Sequence, residues 1–161
     1  MSLDVVDSDV SIEWLQSNTD QVRGMLLHPT PEKIALMQQC PHLTTLYINA
    51  IGDTDFHESQ LVGLSSVTQI SNLHLLLPTP YTSQFWQPLL ESHTQLVELI
   101  CGGEVSGQAP QLAEFTQPLP FHQLTKLHLA TCGDIYWNIY EGMSQLSDLR
   151  LSGRVLSHIP F

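Results

Sequence analysis

Basic residues are scarce in this chain. Five lysines and arginines stand against 16 aspartates and glutamates in 161 residues, a net charge of −11. A phosphate backbone is bound by clustered cations, so no nucleic-acid partner is expected. Nine of the acids lie in residues 1–60, beside only Arg23 and Lys33. Such a field keeps a chain soluble and permits a basic protein partner, which it would steer in. Cysteine is also rare. Cys40, Cys101 and Cys132 are odd in number and sit in unlike positions, so no disulfide framework is expected and a reducing cytoplasm is the economical location. No apolar run approaches the ~20 residues that span a bilayer. The opening Met1-Ser2-Leu3-Asp4 is acidic where a secretory leader would be positive. The expectation is therefore a cytoplasmic protein with no membrane contact.

What the chain does have is one phrase used six times: apolar, two residues, apolar, one residue, apolar. The copies are Val22-Met25-Leu27, Leu43-Leu46-Ile48, Ile70-Leu73-Leu75, Leu96-Leu99-Cys101, Leu124-Leu127-Leu129 and Leu146-Leu149-Leu151, with starts 21, 27, 26, 28 and 22 residues apart. The residue before each copy is Gln21, His42, Gln69, Gln95, Gln123 and Gln145, a polar column that apolar periodicity would not select. Each copy leads into a turn-rich stretch and then a helical or irregular segment. His28-Pro29-Thr30-Pro31 precedes Glu32–Gln39, and Pro78-Thr79-Pro80 precedes Thr82–Leu90. Proline there suits a helix start and forbids a strand interior.

The return segments carry helix signals of their own. Thr30 and Pro31 occupy the N-cap and first helical positions. Asp7 or Ser8 is placed to cap a helix over Asp9–Gln16, with Val10, Ile12, Trp14 and Leu15 on its apolar side. Leu3–Val6 has strand character. Glycine and proline across residues 102–120 leave room only for a short helix near Gln111–Phe115. Asp134–Met143 reads as the last helical return.

The phrase resembles the core of leucine-rich repeats, whose periods span the observed range. The copies starting at Leu43, Ile70, Leu96 and Leu124 are similar in period to the ribonuclease-inhibitor-like and F-box-associated types. The best-matched stretch is Leu124-Thr-Lys-Leu127-His-Leu129-Ala-Thr-Cys132-Gly-Asp-Ile135, which follows the cysteine-containing pattern. The ninth position elsewhere is Thr30, Ile51, Pro78, Glu104 and Arg154, so the Asn or Cys ladder is not kept, and no F-box-like segment is seen. The resemblance implies an α/β class: a right-handed solenoid of about six coils with a parallel sheet of six or seven strands on its concave face. It implies one domain over residues 1–161: 1–20 a partial N-terminal coil or cap, 21–152 the six repeats, 153–161 a short C-terminal tail. It also implies a binding scaffold rather than an enzyme.

Strand alternation then assigns faces. Positions four and six of each copy point into the core, and three, five and seven point out. Column five is Leu26, Tyr47, His74, Ile100, His128 and Arg150. Column three is Gly24, Thr45, Asn72, Glu98, Lys126 and Asp148. Column seven is His28, Asn49, Leu76, Gly102, Ala130 and Ser152. Tyrosine and arginine anchor many interfaces, and exposed apolar residues are costly in water. The expected partner-binding residues are Tyr47, His74, Ile100, His128, Arg150, Glu98 and Lys126, with Glu98, Lys126 and Asp148 pairing laterally across strands.

No catalytic residue, cofactor or metal is expected. His74 and His128 share a column two strands apart, roughly 9–10 Å, too far for joint zinc ligation. Asp53-x-Asp55-x-His57-Glu58 lacks the glycine and spacing of a calcium loop, and its acids suit a helix start. His128 and Cys132 have no orienting third group. Gly102, Gly103 and Gly107 are not followed by the Lys-Ser/Thr of a phosphate loop. His42, His93 and His122 fall just before strands, where an imidazole can bond a turn. The leading expectation is a non-enzymatic protein-protein interaction module. The alternative is an acidic inhibitor or immunity-type protein that occludes a basic enzyme. Self-association through the C-terminal sheet edge is a further expectation, because edges invite pairing.

Overall fold

Each copy of the apolar phrase becomes one strand of a single sheet. The computed structural model describes residues 9–28, 30–51, 57–61, 63–77, 88–89, 91–102, 121–136 and 142–156, with backbone alone at 27, 58, 130–136 and 151–156. The strands are β1 (Gly24–Leu27), β2 (Thr45–Asn49), β3 (Asn72–Leu76), β4 (Glu98–Gly102), β5 (Lys126–Tyr136) and β6 (Asp148–Leu156). They form a six-stranded sheet in the order β1-β2-β3-β4-β5-β6, parallel at every pairing. The short helices α1 (Ile12–Ser17) and α2 (Pro31–Met37) join it among the described residues, giving an α/β fold.

The register carries the repeat from strand to strand. Met25, Leu46, Leu73, Leu99, Leu127 and Leu149 are paired in one row across the sheet. In β2, β3 and β4 the fourth and sixth positions are buried, while the third and fifth are half-buried. The buried face packs with Val22, Leu43, Ile70, Leu96 and Leu124 and with return-segment residues Ile34, Leu36, Met37, Leu61 and Leu64 in one cluster. Each fully buried leucine contributes about 1.5–3 kcal/mol of transfer free energy.

Hydrogen bonds repeat with the same period. The carbonyl at the second position of one copy accepts two backbone N–H groups from the next copy. Arg23 O takes Thr44 N and Thr45 N at 2.9 and 3.2 Å, and Thr44, Ser71, Val97 and Thr125 do likewise. Hydroxyls add to this ladder: Thr44 Oγ1 donates to Arg23 O, Ser71 Oγ to Thr44 O, Thr125 Oγ1 to Val97 O and Ser147 Oγ to Thr125 O, at 3.4, 3.3, 3.2 and 3.1 Å. The glutamine column has a role in two places. Gln69 Nε2 donates to Met37 O and Cys40 O, both at 3.1 Å, adding a second donor to carbonyls that already accept Cys40 N and Leu43 N at the end of α2. Gln123 Nε2 donates to Gln95 Oε1 of the preceding copy at 3.2 Å.

Helix α2 starts where Thr30 and Pro31 place it, with Thr30 Oγ1 accepting from Lys33 N at 3.3 Å. Helix α1 starts later than expected. Its N-cap is Ser11, whose Oγ accepts from Trp14 N at 3.2 Å, rather than Asp7 or Ser8. The apolar side is as read: Leu15 is buried, and Val10, Ile12 and Trp14 pack on the core.

The largest difference lies at the far edge. Asp134–Tyr136, expected to open a helical return, is strand, pairing with Arg154, Val155 and Leu156. Those three residues, expected in a tail, belong to β6. Between the Ala130–Ser152 and Asp134–Arg154 pairs β5 advances four residues and β6 two, so a bulge restores pairing. The expected strand at Leu3–Val6 and helix at Gln111–Phe115 lie outside the described residues, as does most of Thr82–Leu90.

Strand β6 pairs only with β5 among the described residues, and Leu149 is 38 % exposed where Leu73 and Leu75 are fully buried. Amides of residues 149–151 should therefore exchange with deuterium at least about tenfold faster than those of 73–75 in a verified monomer, because local opening costs less where fewer apolar contacts break. Equal protection of the two strands would refute this.

Candidate functional site: the polar face of the sheet

The register sets the columns side by side as the alternation requires. Leu26, Tyr47, His74, Ile100, His128 and Arg150 are successive partners across the six strands, and so are Gly24, Thr45, Asn72, Glu98, Lys126 and Asp148. The seven expected contact residues thus share one face. Leu26, Tyr47, Leu76 and Ile100 are half-buried on it. In column seven the described pairings join Asn49, Leu76 and Gly102, and separately Ala130 and Ser152.

Side chains on this face link in two chains of contact. The first begins with Asn72 Nδ2 donating to Thr45 Oγ1 at 3.3 Å. Beside it, the Tyr47 ring meets the His74 ring edge-on, with centroids 4.3 Å apart at 74°. His74 Nε2 lies 2.5 Å from Glu98 Oε1, and Lys126 Nζ reaches the same oxygen at 3.3 Å. The second links His128 Nε2 to Asp148 Oδ2 at 2.9 Å and Arg150 Nε to Asp148 Oδ1 at 3.3 Å. Both histidines use the same diagonal, from column five of one strand to column three of the next.

Lateral pairing of column three holds between Glu98 and Lys126. Asp148 instead pairs with His128 and Arg150. Asp148 is the residue whose part in the site the sequence understated. Its signal was an acid in column three one strand beyond each column-five histidine: Glu98 after His74, Asp148 after His128.

Burial pushes the His74 imidazole below its ordinary value; Glu98 opposes this, while Lys126 and His128 add to it. His74 is therefore neutral at pH 7. The His128 hydrogen bond, aided by the Arg150 charge, holds the Asp148 carboxyl below the usual carboxylate range. The permanent charges of the face are then two carboxylates and two cations. Two of the chain's 16 acids lie in its outward columns three and five, so the net charge of −11 is carried elsewhere.

Other titratable groups serve the core. Burial pushes the thiols of Cys40 and Cys101 up, so both stay protonated, and Cys40 Sγ donates to Leu36 O at 3.6 Å. His93 is fully buried and bonds a turn, as its place before a strand suggested, with Nε2 3.0 Å from Val67 O. His122 Nδ1 lies 3.5 Å from Gly142 O. Among the described residues no three His, Cys, Asp or Glu side chains gather as a metal group, and no helix is long and apolar enough to cross a membrane. Asp53, Asp55 and the side chains of Glu58 and Cys132 lie outside the described residues; His57 of that cluster is exposed. No family profile, curated protein or solved structure matches the chain.

Proposed function

We propose that the chain is a leucine-rich-repeat-type solenoid of six right-handed coils, and that it works as a non-enzymatic, cytoplasmic protein-protein interaction module. The observation that carries this reading is the in-register polar face. Six strands present one row of side chains in which apolar residues, Leu26, Tyr47 and Ile100, flank charges that are already paired with one another. Side chains held by their neighbours lose little freedom on binding, which favours association. Consecutive parallel pairing with a single buried face supports the coiling, because such connections are right-handed in nearly all known sheets.

The test is affinity capture with the intact chain and with a Tyr47→Ala, His128→Ala double variant, both verified as folded by circular dichroism. The intact chain should retain a partner that the variant loses by about tenfold or more, as expected when an aromatic anchor is truncated. A folded variant that keeps every partner would refute the assignment to this face.

The net charge favours a second reading, an acidic inhibitor of a basic enzyme. That surface would lie away from the polar face, on the acid-rich residues 1–60. Its mark is a captured partner whose association slows steeply between 20 and 150 mM salt and whose activity is lost.

A further inference from the structure

On the polar face, carboxylates and cations are equal in number but unequally exposed. Glu98 is held by His74 and Lys126, and Asp148 by His128 and Arg150. Each carboxylate accepts from two donors, and the Glu98 and Asp148 side chains are 24 % and 37 % exposed. The cations are less occupied. The Arg150 side chain is 72 % exposed and uses only Nε, on Asp148, among the described residues. That bond leaves the Nη edge, which is suited to bidentate carboxylate recognition. Lys126 Nζ has three donors and gives one to Glu98.

The register arranges these groups in a square. Lys126 faces Asp148 and His128 faces Arg150 across β5 and β6. His128 and Asp148 are bonded along one diagonal, and Lys126 and Arg150 occupy the other. Two of the chain's five basic residues thus stand on adjacent strands with their acids satisfied.

We infer that the β5–β6 end of this face captures a carboxylate of an extended acidic peptide segment, whose neighbouring apolar residues run on over Ile100 and Tyr47. This inference rests on the polar face being the contact surface and names the partner's chemistry. The exposed Nη edge of Arg150, with Lys126 on the neighbouring strand, selects an acidic segment over a basic one. The spacing is fixed by the sheet. At ~4.8 Å per strand, Ile100 is roughly 10 Å and Tyr47 roughly 19 Å from Arg150 along column five. An extended peptide crossing the strands at ~3.3 Å per residue places an apolar residue about three positions, and an aromatic one about six positions, from the carboxylate.

Fluorescein-labelled decapeptides of that design test it by anisotropy with the full chain. One carries Glu at the charged position and its neighbour, a second Gln, a third Lys, all with the same leucine and phenylalanine; a dT decamer is the fourth probe. The Glu peptide should bind at least about tenfold more tightly than the Gln and Lys peptides, and Arg150→Gln should remove that preference without affecting the Gln peptide. Tighter binding of the Lys peptide or of the dT decamer, or no effect of Arg150→Gln, overturns the inference. So does binding by none of the peptides at millimolar concentration. If Tyr47→Ala weakens the Gln or Lys peptide while Arg150→Gln is silent, the face is still the contact surface and only its preference for carboxylate fails. If neither variant weakens any peptide that binds, both readings fall.

Discussion

Truncating Leu73 to alanine is expected to destabilise the fold by about 2–5 kcal/mol, while the same truncation at Leu149 costs about 1 kcal/mol or less. The two residues occupy the same position of their copies and the same row of the sheet. Their surroundings differ. Leu73 is fully buried between Leu46 and Leu99, which are buried as well, so its removal leaves a lined cavity. Leu149 is 38 % exposed and, among the described residues, has a strand partner, Leu127, on one side only, so little water-excluded surface is lost with it. Urea unfolding with fitted m-values is the measurement. Equal losses for the two variants would show that the β5–β6 edge is as fully packed as the centre. A fall in m for Leu149→Ala without a shift of the main transition would instead show the edge opening separately.

This contrast also marks what the sequence could convey. The six strands were legible because the apolar phrase recurs at every one, and its alternation told which residues point inward. The row from Met25 to Leu149 follows from that alone. Gradation along the row did not. Nothing in Leu146-Leu149-Leu151 distinguishes it from Leu124-Leu127-Leu129, because burial depends on what lies beside a copy. Helix ends were legible where one signal stood alone, as with Thr30 and Pro31. They were not where capping residues crowd together: Asp7, Ser8, Asp9 and Ser11 all suit an N-cap, and local geometry selects Ser11. Asp134–Tyr136 misled for another reason. Apolar residues at 135, 139 and 143 have helical spacing, but β6 offers Asp134–Tyr136 a paired partner, and tertiary pairing overrides local preference.

The polar face was legible as a list of residues and not as a set of bonds. Columns follow from the repeat, whereas the His74–Glu98 and His128–Asp148 diagonals depend on side-chain direction. The hydroxyls of Thr44, Ser71, Thr125 and Ser147 form a column that was open to view at the second position of four copies. They went unread because serine and threonine are ordinary near strand starts. Their role appeared only with the carbonyls they meet.

His93 gives the second large effect. It occupies the buried turn position held by Cys40, Val67, Phe121 and Met143 in other copies, three residues before the first apolar position. Its Nε2 lies 3.0 Å from Val67 O of the preceding copy, and its Nδ1 lies 2.9 Å from Leu89 O and 3.0 Å from Ser92 Oγ. A neutral ring has one N–H. Placing it on Nε2 satisfies Val67 O; Leu89 O already accepts from His93 N at 3.1 Å, and the Ser92 hydroxyl donates to Pro88 O at 2.6 Å. Burial lowers the imidazole's proton affinity, and the two carbonyl contacts oppose this without reversing it. Replacing His93 by alanine leaves Val67 O unsatisfied and opens a cavity, at a cost of about 3 kcal/mol at pH 7.

The sign of the pH dependence follows from the lowered value. Below about pH 6.5 the unfolded chain takes up a proton at this histidine while the folded chain does not. The stability that neutral His93 contributes is thus complete above pH 6.5. It is lost as pH falls from there toward the lower value in the folded state. A His93→Gln variant, which keeps an amide donor for Val67 O but has no proton to gain, should be less stable than the parent at pH 7. The gap should narrow steadily between pH 7 and pH 5 in denaturant titrations. A gap that stays constant, or widens on acidification, would mean that the imidazole enters the folded state charged, donating to Leu89 O and Val67 O together.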